Sequence, residues 1–172
     1  MINEKSESER IIIFIDNSNI FKGFKKYKVK VDYEKLKNVI SQNRELQAII
    51  LYEGIIFPIN PNKKKWYEDL KKNSGYFIRT SFDKRTSKTA IEKKVDVKIA
   101  IDIISFAYEN AYDTAVLVSG DGDFLPVIKK VKELNKNIEI WAFRYSLANI
   151  IKEELEQGKI HYLDDNLSKI LM

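Results

Sequence analysis

A chain of 172 residues that is 44% hydrophobic has the length for one domain with a sizeable core; with no cysteine and one histidine it excludes disulfides, Cys-based zinc and multi-His metal sites, and makes a Ser-His-Asp triad improbable. The formal net charge of +5 and a pI of about 9.1 are mildly basic and identify no partner by themselves, so the distribution of charge matters more than its total. The polar start, Met1 to Arg10, lacks the apolar core of a signal peptide, and no apolar run nears the roughly 18 residues that span a bilayer; the expectation is a cytoplasmic protein with no membrane association.

In chain order, residues 1–9 read as a flexible lead-in and 10–172 as a single domain. Arg10 to Ile15 is a continuous apolar run, as expected of a strand buried on both faces of a parallel sheet. It ends at Asp16, followed by Asn17-Ser18-Asn19, residue types that cap helices at a strand-to-helix junction. Gly23 with Lys22, Lys25, Lys26, Lys28 and Lys30 forms a basic segment. Asp32 to Asn43 has helical periodicity, and Leu46 to Ile56 holds a second strand. Pro58 and Pro61 mark a loop, Lys63 to Asn73 a charged helix that Ser74-Gly75 ends, and Tyr76 to Thr80 a third strand. Asp83 to Lys94, nearly devoid of apolar residues, reads as a mobile basic loop.

Val95 to Asn110 is periodic as a helix. At about 100° per residue, Lys98, Asp102, Ser105 and Glu109 fall within about 60° of one another and form the expected wet face, with Asp102 paired to Lys98 at i,i+4. Asp96 falls opposite, in the arc of Val97, Ala100, Ile103, Ile104 and Ala107, and so points toward the sheet; favourable placement of a first-turn acid in the helix dipole explains its position but not its side. Val116-Leu117-Val118 is a short buried strand running into Ser119-Gly120-Asp121-Gly122-Asp123, and an apolar helix from Phe124 to Leu134 follows, with Pro126 in its first turn. Ile138 to Phe143 is a further strand, Leu147 to Gln157 a helix stopped by Gly158, and His161 in the tail has the setting of a structural residue. Strands alternating with helices make an α/β three-layer domain with a mainly parallel, five-stranded sheet.

In such a sheet ligands collect beyond the carboxyl ends of the strands. Asp121 and Asp123 are there either as turn and N-cap chemistry or as half of a divalent-metal site. Asp16 and Asp96 occupy comparable places, and a cluster of carboxylates without His or Cys suits a hard cation such as Mg²⁺, which supports phosphodiester hydrolysis when lysines hold the phosphate backbone. An EF-hand is excluded by Ile20 and Leu125 where its fifth position needs an oxygen ligand; Ile20 also spoils an adhesion-type Asp-x-Ser-x-Ser site, Ser18 stands where a haloacid-dehalogenase-type phosphatase has its second Asp, and no P-loop or dinucleotide fingerprint is present.

Three motifs carry a family resemblance. Phe14-Ile15-Asp16-Asn17-Ser18-Asn19 is similar to the opening FxDxxN pattern of NYN domains, the PIN-like ribonuclease relatives with LabA-type bacterial members; Lys94-Val95-Asp96-Val97 resembles their central element, and Ser119 to Pro126 their SGDxDFxP signature. Lys93-Lys94 departs from the glycine that many members carry before Val-Asp. The resemblance implies a PIN-like fold with strand order 3-2-1-4-5 and Mg²⁺- or Mn²⁺-dependent cleavage of single-stranded or structured RNA. It implies that Asp16, Asp96, Asp121 and Asp123 are the catalytic, metal-binding quartet, with Asn19 and Ser119 as supporting polar residues. Lys22, Lys25, Lys26, Arg79, Lys84, Arg85, Lys88, Lys93 and Lys94, on the segments leading to these acids, are the expected phosphate contacts, and a homo-oligomer is compatible with all of this. The alternative is a non-catalytic RNA-binding or regulatory module with a vestigial metal site.

Overall fold

The computed structural model describes residues 8–82 and 88–172, with Lys88, Thr89 and Ala90 described by backbone alone. Its core is β1 (Arg10–Asp16), buried from Ile11 to Asp16 because every residue of the run meets a helix layer on one face or the other. Ile11, Ile13 and Ile15 pack toward α1 (Asn17–Lys26), α2 (Tyr33–Ser41) and α3 (Pro61–Ser74), whereas Ile12 and Phe14 pack toward α4 (Lys88–Tyr108) and α5 (Leu125–Glu133). Full burial of such side chains contributes roughly 1.5–3 kcal/mol each, so the two layers are held chiefly through this strand and its neighbours.

The sheet is parallel throughout, in the order β3-β2-β1-β4-β5-β6, with β2 (Glu45–Ile55), β3 (Phe77–Phe82), β4 (Thr114–Val118), β5 (Asn137–Ala142) and β6 (Ile160–Tyr162). The expected order of five holds, and β6 extends it by a short edge strand that the tail's three-residue length conceals. α6 (Asn149–Glu154) and α7 (Leu167–Ile170) complete the layers. The winding reverses between β1 and β4, which are paired from Ile11↔Thr114 to Ile15↔Val118, and the crevice at the carboxyl ends of these two strands is the topological switch point of the sheet. On β6, His161 stacks on Trp141 with ring centroids 4.7 Å apart. Among the described residues no helix is long and apolar enough to cross a membrane.

The strand-to-helix junction after Asp16 opens the helix α1, which presents Ile20 and Phe24 to the core and Lys22, Lys25 and Lys26 to solvent. Two expectations need correction. α4 begins at Lys88, so residues 88–94 are helical and not loop; Lys and Glu are good helix formers, and Ile91 and Val95, both buried, set its inner face one turn apart. Residues 83–87 of that expected loop lie outside the described residues. The phase expected of α4 is also wrong. Asp102 is buried, donated to by the Tyr52 hydroxyl at 2.6 Å and paired with the Arg79 guanidinium at 2.8 Å, while Lys98 reaches the Thr80 carbonyl instead. Val97 and Ile101 are 57% and 58% exposed. A helix apolar nearly all round offers no single stripe, and the cation and hydroxyl waiting on β3 and β2 decide which side faces the sheet.

Candidate active site

Asp16 ends β1 and caps α1. Its backbone is extended, and its Oδ1 accepts from the Asn19 amide at 3.2 Å and from the Ser18 hydroxyl at 3.0 Å. From the neighbouring strand end, the Ser119 hydroxyl donates to its Oδ2 at 3.1 Å. Asp16 is thus an N-cap, as its place in the sequence allows, and at the same time a carboxylate sunk at the switch point of the sheet. Burial raises its carboxyl above the ordinary range; the hydrogen bonds from Asn19, Ser18 and Ser119 pull it back, and the charge of Asp121 pushes it up again.

Asp121 follows β4 and is tied to Asp16 through Ser119, whose Oγ accepts from the Asp121 amide at 3.3 Å. Its own Oδ1 accepts from the Asp123 amide at 2.9 Å, capping a short 3-10 turn, Gly122–Phe124, that leads into α5. Asn19 reaches across from α1 and takes the Gly120 amide on its Oδ1 at 3.2 Å, so the loops after β1 and β4 are bonded to each other as well as to Asp16. Gly120 is required here for space: a Cβ would lie 2.6 Å from the Ser146 carbonyl oxygen, and its own carbonyl accepts from the Ala148 amide.

Asp96 enters from α4 and is half-buried. Burial, then Asp16, Asp121, Asp123 and Glu92 in turn, push its carboxyl up to about 7. The acids that three separate segments supply therefore share one field, and none of the quartet pairs with a cation among the described residues. The donor set is all oxygen, which suits a hard divalent cation. Among the described residues, however, no group of three acidic or imidazole side chains stands close enough to enclose an ion as placed. The chemistry of the donors fits such a cation; their spacing does not close on one.

The basic residues expected along a phosphate track divide by position. Lys22 on α1 pairs with Glu92 on α4 at 3.3 Å, so both helices border the acidic edge. Lys25 is exposed, Lys26 lies 3.9 Å from the centroid of the Tyr145 ring, and Lys93 and Lys94 are exposed on the first turns of α4. Arg79 is engaged by Asp102. Lys84 and Arg85 lie outside the described residues, as does the side chain of Lys88. Two residues escaped the reading of the sequence as members of the site: Ser18, seen there as a cap, holds Asp16, and Glu92 adds to the field at Asp96. Glu92 stands four residues before Asp96 on one helix, a spacing that shows only once residues 88–94 are known to be helical.

An open parallel sheet with acids gathered at its switch point defines a PIN-like α/β fold. The NYN domain family's profile matches residues 10–162, and the chain belongs to that family. It is 26% identical over 165 residues to the Low amplitude and bright protein LabA of Synechococcus elongatus, covering 91% of this chain and 84% of that protein. It is also 26% identical over 165 residues to an uncharacterised protein of Methanocaldococcus jannaschii, of which the match spans 60%. A protein of unknown function from Vibrio parahaemolyticus has the same fold, with a TM-score of 0.80 at 21% identity over 98% of this chain and 99% of that one.

Proposed function

We propose that this NYN domain is a ribonuclease that hydrolyses RNA phosphodiester bonds with Mg²⁺ or Mn²⁺ held by Asp16, Asp96, Asp121 and Asp123. The observation that carries the reading is the gathering of these acids at the switch point, where burial and then their mutual field push Asp96 up to about 7. Strongly shifted carboxyl groups gathered in a cleft cluster at functional sites. Held by these carboxylates, a divalent ion would supply positive charge at the scissile phosphate and would lower the pKa of a water. The chain's own residues do the rest: Ser18 and Ser119 orient the Asp16 carboxylate, Asn19 fixes the two loops, and lysines on α1 and α4 border the site.

Cleavage of single-stranded RNA is expected to require Mg²⁺ or Mn²⁺, to leave 5′-phosphate ends, and to vanish in EDTA and in Asp16→Asn or Asp121→Asn with folding kept. Full activity of either variant would remove the mechanism. One observation favours a second reading, a non-catalytic RNA-binding module: the described acids do not enclose an ion as placed. RNA binding without metal-dependent cleavage in wild-type protein is the result that selects it.

A further inference from the structure

Beside the acidic edge, α1 carries an aromatic ring into solvent. Phe21 is 57% exposed although it follows the buried Ile20, and it forms the ridge between two hollows. One, of about 370 Å³, opens beside Ser18 and Glu92 and continues over Gly54, Ile56 and Pro58. The other, of about 440 Å³, lies beyond the ridge among Asn17, Val31, Tyr33, Trp66 and Met172. Phe21, Glu53 and Lys63 line both, so the hollows are two halves of one trough that begins at Ser18, which bonds Asp16, and at Glu92, whose charge acts on Asp96. Each half is within the size range of small-ligand clefts and is walled by flat or apolar side chains.

The polar groups in the trough are arranged to tolerate a polyanion. Glu53 on the floor is neutralised by Lys63 and accepts from the Tyr67 hydroxyl at 2.6 Å, and Glu92 at the mouth is paired with Lys22. Lys22 and Lys30 stand exposed on the two rims. Asn17 accepts from the Tyr33 hydroxyl on its oxygen, which leaves the NH₂ end of the amide as the half not engaged by Tyr33. An apolar peptide would find its path broken by the Phe21 ridge and edged by lysines. A single-stranded polynucleotide meets an aromatic face for stacking, a hollow for a base on either side and cations for the backbone, the combination by which single strands are held.

We propose that this trough is the single-strand binding subsite, with a base stacked on Phe21 and unstacked bases seated in the hollows to either side, so that the backbone passes from Lys30 toward the acids. The identity of the polymer as RNA rests on the ribonuclease reading. A duplex is excluded, because paired and stacked bases cannot enter.

The test is run in EDTA, where turnover plays no part, by fluorescence anisotropy of a short labelled oligouridylate and of a duplex of equal length. Wild type is expected to prefer the single strand. Phe21→Ala should weaken it about tenfold, Phe21→Tyr should restore it and Phe21→Leu should not. Tyr108→Ala, an exposed aromatic at the far end of α4, should bind as wild type does. Binding should also quench tryptophan emission through Trp66, since Trp141, the second of the two tryptophans, is buried. Equal affinity of Phe21→Ala and wild type, recovery by leucine, equal affinity for the duplex, or unquenched emission overturns the proposal; recovery by leucine would point to an apolar protein segment instead. Phe21-dependent binding by a protein that never cleaves would keep the trough and sink the nuclease. Metal-dependent cleavage by Phe21→Ala at wild-type affinity would do the reverse.

Discussion

Two groups of buried or half-buried carboxylates are treated in opposite ways by this fold. Glu139 on β5 is held by Arg44 through both guanidinium NH₂ groups, at 2.9 and 2.8 Å, and receives the Trp141 indole N–H at 3.0 Å. Asp102 on α4 is matched by Arg79 and Tyr52. At the carboxyl edge, Asp16 receives only neutral donors and Asp96 faces other acids. Asp96 and Asp102 even share a helix, six positions apart, so neither composition nor helix type explains the contrast. What differs is the position across the sheet that each one faces: Asp102 meets Tyr52 and Arg79, paired with each other on β2 and β3, whereas Asp96 shares its field with the acids that end β1 and follow β4. Interior acids are completed by cations and hydroxyls of the protein itself, whereas those at the switch point meet neutral donors and other acids.

Removing the internal cations should expose that difference most strongly. Arg44→Ala leaves Glu139 charged in a site where its own side chain is 9% exposed, and loss of one partner of a buried pair typically destabilises by about 3–5 kcal/mol. Urea unfolding should register a drop of that order; a change within error would mean that Glu139 finds water or His161 instead, which lies 3.8 Å away. Next in size is Asp102→Asn. The amide can still accept from Tyr52, but the pairing with a partly exposed Arg79 is lost, so about 1–2 kcal/mol is expected, with RNA cleavage unchanged. Loss of cleavage at native stability would move Asp102 into the site and erase the contrast.

Much of this arrangement was legible in the sequence, and for physical reasons. β1 and β4 announce themselves as unbroken apolar runs because both of their faces are covered. Asp16 and Asp121 are visible because they stop those runs, and their spacing to Asn19 and Asp123 is fixed by local capping bonds that reach two or three residues. The partners of Asp102 could not be read. Arg79 and Tyr52 are 23 and 50 residues away in sequence, and only the β2–β3 register brings both to one side of α4. Periodicity failed there because Val97 and Ile101 are apolar yet exposed, so the helix's own pattern points nowhere. The Phe21 trough was hidden for a similar reason: its walls come from α1, α2, β2, α3, α4 and Met172, and no segment carries its pattern alone.

The smallest effect expected has the opposite sign and tests the edge directly. An unfolded Asp loses its proton near pH 3.9, whereas Asp96 in the fold holds its proton up to about 7. Between these values the native state binds the extra proton, so its stability falls as pH rises through that window and is lowest above it. Asp96→Asn mimics the protonated side chain and lacks this penalty. In metal-free buffer its melting temperature should match wild type at pH 4 and exceed it above pH 7, by about 2–4 °C if the partly solvated repulsion amounts to about 1 kcal/mol in a chain of this size. Adding Mn²⁺ at high pH should close the gap, because a cation that binds the folded quartet stabilises wild type and has less to hold in the variant. Paired melting curves across pH, with and without Mn²⁺, decide it. A variant less stable than wild type at pH 8 without metal would mean that Asp96 already has a cationic partner and that the edge is completed from within, as the interior is.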